Sequence, residues 1–369
     1  MGTEDLKGIK VAALPSLFDF ILGVGVSIYC LVASKRRKSS GVIGNNDLDR
    51  QALPKQFSPE ELHAATNGFA PHRRLVREGS GQVYRGLLQG LGREVAIKKI
   101  WTGTDQHYEE TFMNEVKIIS RLIHRNMVQF IGWCHDQERN ECLVVYEYMP
   151  NGSLDQHLFG RRNSLQWNSR YKVALGLARA LQYLHEDAED CVFHRDIKSA
   201  DVLLDKDLRT KLGDFGISKR MDSQFPTQTT EVVGSQLRQR TEVVGTVDYI
   251  ATEYAIEGKA SKESDMSSFK VVALEIACGR KSYSFNDNLS LYKWVWKLYL
   301  EGHLLDAADE RLETEFEQEE MKCLLIVGLW CTHPHNKERP NAGQVMKVLE
   351  LEEPLPALPL DMHLQQSLP

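Results

Sequence analysis

The amino-acid sequence predicts an α+β fold of two lobes, a small β-rich lobe followed by a larger helical lobe, preceded by a single transmembrane helix. Three observations support this prediction. Short β-type runs fill residues 82–148 around one helical stretch, the C-terminal half has mostly helical periodicity, and residues 14–33 are largely apolar. A chain of 369 residues is long enough for two lobes and flanking segments.

A pair of motifs indicates which two-lobed fold this is. The chain contains Val192-Phe-His194-Arg195-Asp196-Ile-Lys198-Ser-Ala-Asp201 and then Leu212-Gly-Asp214-Phe215-Gly216. Phosphoryl transfer needs an acceptor for the hydroxyl proton of the substrate and carboxylates that hold magnesium, and Asp196 and Asp214 are the candidates. Lys198, two residues after Asp196, stands where serine/threonine kinases place a lysine that can neutralise the transferring phosphoryl group, and this resemblance favours serine/threonine over tyrosine specificity. The sequence therefore predicts a bilobal protein kinase fold that uses ATP and Mg²⁺.

The apolar stretch from Leu14 to Ala33 is about as long as a bilayer core requires. The run Lys35-Arg36-Arg37-Lys38 follows directly, as the positive-inside rule expects. Asp19 and Pro15 weaken the prediction, because a carboxylate inside the hydrocarbon costs about 2.5 to 3.5 kcal/mol. An uncleaved signal anchor and a peripheral amphipathic segment are the alternatives. We expect a single-pass plasma-membrane protein with a cytoplasmic kinase domain.

Further along the chain, Ser58 as N-cap, Pro59 in the first turn and Glu61 three residues after Ser58 predict a helix start, where the folded region opens. The expected segments are a short N-terminal stretch at 1–13, a transmembrane helix at 14–34, a basic juxtamembrane linker at 35–56, an N-lobe at 57–149, a C-lobe at 150–352 and a Pro- and Leu-rich tail at 353–369.

The N-lobe prediction depends on periodicity. The expected strands are Gln82–Arg85, Glu94–Ile100, Met127–Gly132 and Leu143–Tyr148. A helix is expected over Thr111–Leu122, with its buried face formed by Phe112, Val116, Ile119 and Ile123. In the second strand, alternation places Ala96 and Lys98 on one face. The small alanine can then form the floor of an adenine pocket, while the lysine reaches the phosphates. Glu115 lies beside the buried helix face and is expected to pair with Lys98.

In the C-lobe, Val173, Leu177, Leu181 and Leu184 mark a long buried helix that leads into the catalytic loop. The further candidate helices are Glu263–Cys278, Leu289–Leu300, Glu319–Trp330 and Asn341–Leu351. A formal net charge of -6 without a basic stripe gives no basis for nucleic-acid binding. The seven cysteines have no Cys-x-x-Cys spacing, so we expect neither a disulfide framework nor a zinc site.

Three stretches resemble plant receptor-like serine/threonine kinases: residues 57–66, residues 143–155, and the segment from Glu263 to Arg280. The closing Pro354-Leu-Pro-Ala-Leu-Pro359 is similar to the L-type lectin-domain subgroup, and we expect the lectin domain itself to be absent. The resemblance covers residues 57–359. It implies protein substrates with Ser or Thr, a membrane location and, among the partners, intact receptor kinases.

The resemblance also implies roles for single residues. Tyr146 would be the gatekeeper, with Glu147 to Met149 as the hinge that binds adenine through its backbone. Asp265 would brace the catalytic loop, Glu253 would pair with Arg339, and Arg195 would respond to phosphorylation of the activation segment. The nucleotide site would then consist of Val76, Gly79, Gly81, Val83, Ala96, Lys98, Glu147 and Met149.

This chain departs from the family pattern in its phosphate loop. Val76 and Glu78 stand at the first two glycine positions of Gly-x-Gly-x-x-Gly-x-Val, while Gly79 and Gly81 remain. The Glu78 carboxylate would repel each close phosphate charge by about 1 to 4 kcal/mol. We expect lower ATP affinity.

Other departures fall in the C-lobe. Asp201 replaces the family's asparagine at the second magnesium position, where it still binds metal with Asp214 but adds a negative charge. Thr230-Glu-Val-Val-Gly234 recurs as Thr241-Glu-Val-Val-Gly245, which indicates a short duplication in the activation segment. Lys270 replaces a packed glycine and would bury an unpaired ammonium.

Two functions follow. The first is a membrane-anchored serine/threonine kinase of weakened activity, with Asp196, Lys198, Lys98 and Glu115 as catalytic residues and Asp201 and Asp214 as metal ligands. The alternative is a pseudokinase that acts as a membrane-tethered regulatory partner or decoy for intact receptor kinases.

Overall fold

The computed structural model describes residues 54–77, 81–100, 108–160, 164–220, 230–233, 236–239, 245–282 and 290–359. The segments predicted at 1–13 and 14–34, most of the linker at 35–56, and Glu78 and Gly79 of the phosphate loop lie outside these residues. Within the described ranges, no helix has both the length and the apolar character needed to cross a membrane.

The described part of the N-lobe is a β-sheet with two α-helices packed against it. Its strands are β1 (Lys55–Gln56), β2 (Arg74–Arg77), β3 (Gly81–Leu88), β4 (Arg93–Ile100), β5 (Phe130–Asp136) and β6 (Glu141–Glu147). In this part of the chain they are ordered β1-β5-β6-β4-β3-β2, and only the β1–β5 pair is parallel. The helices are α1 (Pro59–Thr66) and α2 (Tyr108–Ile119).

Successive side chains of β4 alternate between the two faces of the sheet, as the sequence predicts. Val95 and Ile97 are fully buried in the small core beneath α1. Ala96 and Lys98 point to the opposite face, where they pair in register with Tyr146 and Val144 of β6. The lysine therefore faces α2 and the C-lobe.

The helix start at Ser58 is confirmed. The Ser58 side chain accepts a hydrogen bond from the Glu61 backbone N–H at 3.2 Å, and the Glu61 carboxylate accepts one from the Ser58 N–H at 3.0 Å. Pro59 occupies the first turn. Just before this helix, β1 pairs with β5, opposite Gly132 and Trp133. A Cβ on Gly132 would lie 1.9 Å from the Lys55 carbonyl oxygen, so a glycine is required there.

Two N-lobe predictions are wrong in their bounds. The strand expected at Met127–Gly132 begins only at Phe130, because Met127 instead forms a parallel bridge with Leu212 of the C-lobe, in which the Val128 N–H donates to the Leu212 carbonyl. Helix α2 ends at Ile119, so the 3.6-residue period stops before Ile123. Ile123 is 68% exposed rather than buried.

The C-lobe is mostly helical. Its helices are α3 (Leu154–Leu158), α4 (Trp167–Gln182), α5 (Thr252–Glu257), α6 (Lys262–Cys278), α7 (Leu291–Leu300), α8 (Gln318–Trp330) and α9 (Ala342–Leu349). The four candidate helices after residue 262 are thus present, with ends shifted by one or two residues. Helix α6 is buried along almost its whole length, because α4, α7 and α8 pack around it.

Three short antiparallel strand pairs lie in the chain between α4 and α5 within the described residues. They are β7 (Val192–Phe193) with β10 (Lys219–Arg220), β8 (Val202–Leu204) with β9 (Thr210–Leu212), and β11 (Thr230–Val233) with β12 (Gln236–Gln239). Strand β11 contains Thr230–Val233 of the first copy of the duplicated sequence, and the sequence pattern did not predict this strand pair. The second copy lies outside the described residues except for Gly245.

Candidate active site

The catalytic loop lies between β7 and β8, and the β8–β9 hairpin brings the second motif to it. Val202 pairs with Leu212, and the Gly213 N–H donates to the Asp201 carbonyl at 3.0 Å. Asp214, one residue later, therefore faces Asp201. One carboxylate oxygen from each of Asp196, Asp201 and Asp214 lies within 4.8 Å of the others. Three oxygen donors at this spacing suit Mg²⁺, which prefers oxygen ligands.

A buried aspartate fixes the start of this loop. The Asp265 carboxylate accepts hydrogen bonds from the backbone N–H groups of His194 at 2.8 Å and Arg195 at 2.9 Å, and it also contacts the His185 ring at 2.9 Å. Arg195 has a φ of 74°, a left-handed conformation that costs energy in a non-glycine residue. The contacts expected of Asp265 are present, and they hold this conformation.

The carboxylate of Asp196 is oriented by three donors in the described part of the chain. One oxygen accepts from the backbone N–H and the hydroxyl of Thr246, both at 2.7 Å. The other lies 2.5 Å from the Lys198 ammonium. Since an ionised carboxylate has about four lone-pair sites, it can still accept a hydrogen bond from a substrate hydroxyl.

Lys98 occupies the centre of a buried charge cluster. Its ammonium lies 3.1 Å from Glu115 and 2.7 Å from Asp214, so the predicted pairing with Glu115 is present. The Tyr146 hydroxyl donates to the same Glu115 carboxylate. Burial raises the pKa of Asp214, but the positive charge of Lys98, with smaller contributions from Lys198, outweighs this effect and lowers that pKa to about 2. Asp214 is therefore an anion throughout the physiological pH range.

Asp201 adds a second carboxylate to the surroundings of Lys198. Its Oδ2 lies 3.5 Å from the Lys198 ammonium, and Asp201 is almost completely buried. Burial lowers the pKa of Lys198, yet the charges of Asp201, Asp196 and Asp214 together raise it above its ordinary value. Lys198 is thus held as a cation between Asp196 and Asp201.

Several residues expected to bind the nucleotide lie on the adjacent strands β2, β3 and β4. Val76 is opposite Val83 in the β2–β3 pair, Val83 is opposite Lys98, and Ala96 is half-buried behind them. Gly81 at the start of β3 has no room for a side chain, because a Cβ there would lie 2.3 Å from the Lys99 carbonyl.

The expected hinge follows β6. The side chain of Glu147 is 3.0 Å from Lys211, and it accepts from the Gln129 N–H at 2.8 Å, so it leaves adenine recognition to the backbone. Met149 is buried just after the strand.

This geometry agrees with a comparison against families of known proteins. The model of the protein tyrosine and serine/threonine kinase family matches residues 71–349. The chain belongs to this kinase family. The matched region contains both lobes and the candidate site described above.

Individual relatives identify the subgroup of kinases that this chain resembles. The chain is similar to the L-type lectin-domain containing receptor kinase IX.1 of Arabidopsis thaliana, 48% identical over 97% of this chain and 55% of the relative. Receptor kinase IX.2 of the same organism is 42% identical over 96% of this chain and 53% of the relative. The rice receptor kinase SIT2 is 42% identical over 83% of this chain and 44% of the relative. The chain spans about half the length of the curated relatives it matches, and the resemblance stated from the sequence is confirmed.

Sequence reasoning missed two contacts of the kinase site. Thr246 bonds to Asp196 although fifty residues separate them, and its position after the duplicated segment gave no signal for this contact. Lys211 links the end of the N-lobe sheet to β9. The expected ion pair between Arg339 and Glu253 is present, with an N–O distance of 3.0 Å for its second bond.

The expectation for Lys270 requires a correction. The Lys270 side chain is half-buried rather than fully buried. Its ammonium is not without a partner, because it lies 5.3 Å from the centre of the Tyr292 ring in a cation–π contact. Burial, with Arg339 as an additional repulsive charge, still lowers its pKa to about 8, while Glu253 acts in the opposite direction. The ammonium has partners, but they do not fully compensate its loss of water.

Proposed function

We propose that this chain is a membrane-anchored serine/threonine protein kinase that transfers the γ-phosphoryl group of ATP to Ser and Thr hydroxyls of proteins, with reduced activity. The observation that carries this proposal is the Asp196 carboxylate, oriented by Lys198 and Thr246 beside the carboxylates of Asp201 and Asp214. The family membership and the receptor kinase relatives support the same reaction class.

ATP and Mg²⁺ would have distinct tasks. ATP would supply the phosphoryl group, and Mg²⁺, when bound, would neutralise the charge that develops on it. Asp201 and Asp214 would hold the metal, since their oxygens converge and are anionic. Val76, Gly79, Gly81, Val83, Ala96, Glu147 and Met149 would hold the nucleotide.

Side chains of the protein would contact the phosphates, accept the substrate proton and stabilise the transferring group. Lys98, fixed by Glu115, would contact the phosphates. Asp196 would accept the proton of the substrate hydroxyl as its oxygen bonds to the γ-phosphorus, while the bond from that phosphorus to the β,γ-bridging oxygen breaks and ADP leaves with this oxygen. Lys198 would stabilise the transferring group, and it would have to leave part of its contact with Asp201 to do so. This competition supports reduced activity.

Phosphate transfer tests the proposal directly. We expect the purified full-length chain to incorporate label from γ-labelled ATP and Mg²⁺ into itself or a general protein substrate. An Asp196→Asn variant, which retains the shape of the side chain and loses its basicity, serves as control and is expected to incorporate none. Absence of transfer from a folded parent protein would support the alternative, a pseudokinase that regulates intact receptor kinases; the additional charge of Asp201 is the observation that favours it.

Membrane attachment is proposed from the sequence of residues 14–34 and the basic run behind them, and the names of the receptor kinase relatives are consistent with it. We expect the chain made in the presence of microsomes to stay in the membrane pellet after extraction at alkaline pH. A variant that lacks residues 14–34 should be released. Release of the parent chain would contradict a single membrane span and favour a peripheral segment.

A further inference from the structure

Asn114 of helix α2 contacts the segment that follows the Asp-Phe-Gly motif. Its side-chain amide donates a hydrogen bond to the Ser218 carbonyl at 2.9 Å, across 104 residues of sequence. Asn114 directly precedes Glu115, whose carboxylate lies 3.1 Å from the Lys98 ammonium. Because neighbouring residues of an α-helix are held by the same backbone hydrogen bonds, a movement of α2 that takes Asn114 away from Ser218 also moves Glu115.

Ser218 is fixed on its other side to the catalytic loop. It is 2% exposed, and its hydroxyl donates to the His194 carbonyl at 3.2 Å. The Arg195 guanidinium donates to the carbonyl of the preceding residue, Ile217, at 3.0 Å, and β10 begins directly after Ser218 and pairs with β7. The carbonyl that Asn114 contacts therefore belongs to a segment with a fixed position in the C-lobe.

The same segment passes beside the charge cluster around Lys98. A Cβ on Gly216 would lie 3.3 Å from the Glu115 carboxylate and 3.5 Å from the Lys98 ammonium. Lys98 also lies 2.7 Å from Asp214, and both Lys98 and Glu115 are almost completely buried. A shift of α2 at this point would separate buried opposite charges, which is costly unless water replaces the lost partner. The pair of Lys98 and Glu115 therefore requires α2 to stay close to this segment.

We propose that Asn114 is a positioning residue of the nucleotide site, which holds α2 to Ser218 and thereby keeps Glu115 paired with Lys98. The inference rests on the proposed function, since it takes Lys98 to contact the phosphates of ATP. Asn114 acts through Glu115 rather than on the nucleotide. When α2 leaves this position, the nucleotide has to draw it back, and the apparent affinity decreases with the fraction of molecules in the paired state.

The test measures the affinity of the purified full-length chain for a fluorescent ATP analogue in the presence of Mg²⁺. Asn114→Ala removes the donor, and alanine is the better helix former, so α2 itself is not weakened. We expect the dissociation constant to increase about three- to tenfold, the size of one hydrogen bond. Asn114→Leu has a side chain of similar size without a donor and should give a similar increase. Met113→Ala, at the neighbouring exposed position, is the matched control and should change the constant less than about twofold.

A double-mutant cycle separates positioning from a general loss of structure. In a Glu115→Gln background the charged pair with Lys98 is already lost, so adding Asn114→Ala should weaken binding less than about twofold. If Asn114 only supported the fold, it would weaken binding by the same factor in both backgrounds, because independent effects add as free energies. Where the chain transfers phosphate, the KM for ATP of Asn114→Ala should increase about three- to tenfold, and kcat should stay within about twofold, because saturating ATP restores the paired state.

An unchanged dissociation constant in both Asn114→Ala and Asn114→Leu would overturn the proposal, and so would an equal factor in the parent and Glu115→Gln backgrounds. Because binding is measured without transfer, the expected cycle in a protein that transfers no phosphate would contradict the proposed function alone. Transfer by a chain whose affinity for the analogue does not depend on Asn114 would contradict this inference alone. A parent chain that binds no analogue would contradict both.

Discussion

Replacing Asp201 with asparagine is expected to raise the turnover of phosphate transfer about 10- to 100-fold. Asp201 is buried, contributes a third carboxylate within 4.8 Å of Asp196 and Asp214, and attracts the Lys198 ammonium at 3.5 Å. A carboxylate about 4 Å from a phosphate charge costs about 1 to 4 kcal/mol, and each 1.4 kcal/mol of barrier is tenfold in rate. Asparagine removes this charge and keeps the backbone bonds of residue 201 to Lys198 and Gly213.

The measurement is kcat for transfer to one protein substrate over a range of Mg²⁺ concentrations. We expect the parent chain to depend more steeply on Mg²⁺ than Asp201→Asn, because its site has more negative charge to neutralise. Asp207→Asn is the matched control, since Asp207 is exposed and paired with Arg209, and its kcat should not change. An equal or lower kcat in a folded Asp201→Asn protein that binds ATP would contradict the proposal that Asp201 reduces the rate of transfer.

Replacing Lys270 with methionine is expected to increase the free energy of unfolding by about 2 kcal/mol. Burial and the charge of Arg339 lower the pKa of Lys270 from 10.5 to about 8, and one pKa unit corresponds to about 1.4 kcal/mol. Methionine has a similar length, has no charge to desolvate, and can retain the contact with the Tyr292 ring. The expected gain in stability is smaller than the full pKa shift would give, because water still reaches the half-buried Lys270 side chain.

The pH dependence gives a second check on Lys270. A lysine whose pKa is lowered by folding destabilises the native state most below that pKa, and the penalty decreases as pH rises from about 8 toward 10.5. The advantage of Lys270→Met in urea denaturation should therefore be largest at or below pH 7 and smaller at pH 9.5. Lys297→Met on the exposed face of α7 should alter stability by no more than about 0.5 kcal/mol. A difference that does not change with pH would rule out the charge as its source.

The parts of the molecule that the sequence predicted best are those with a local physical signal. Ser58 and Glu61 are three residues apart, so their capping box is visible in the sequence. The face of Lys98 follows from strand alternation, which the buried Val95 and Ile97 confirm. The pairing with Glu115 followed from the helical period of the next element.

The features that could not be predicted from the sequence depend on contacts between residues far apart in the chain or on where a helix ends. Met127 and Val128 have the apolar character of a strand, but their partner is Leu212, more than eighty residues away, and local sequence does not reveal it. Ile123 continues an apolar spacing beyond the end of α2, and only the helix end determines that it is exposed.

The same limit applies to the site. Nothing local connects Asn114 with Ser218, 104 residues later, because helix α2 and the segment after the Asp-Phe-Gly motif meet only in the folded protein. Thr246 and Asp196 are fifty residues apart. Motif spacing therefore predicted the candidate carboxylates, whereas the groups that orient them depended on tertiary structure.

The pairing of β1 with β5 also affects how the protein behaves in solution. Without Lys55 and Gln56, β5 would be the outermost strand of the sheet, and its backbone N–H and C=O groups at Gly132 and Trp133 would be open to pair with a strand of another molecule. The Phe57 N–H also donates a hydrogen bond to the Trp133 carbonyl at 2.8 Å, so a third residue pairs with this edge of β5. These few residues protect the sheet edge against self-association, and a fragment that starts after Phe57 would lose that protection.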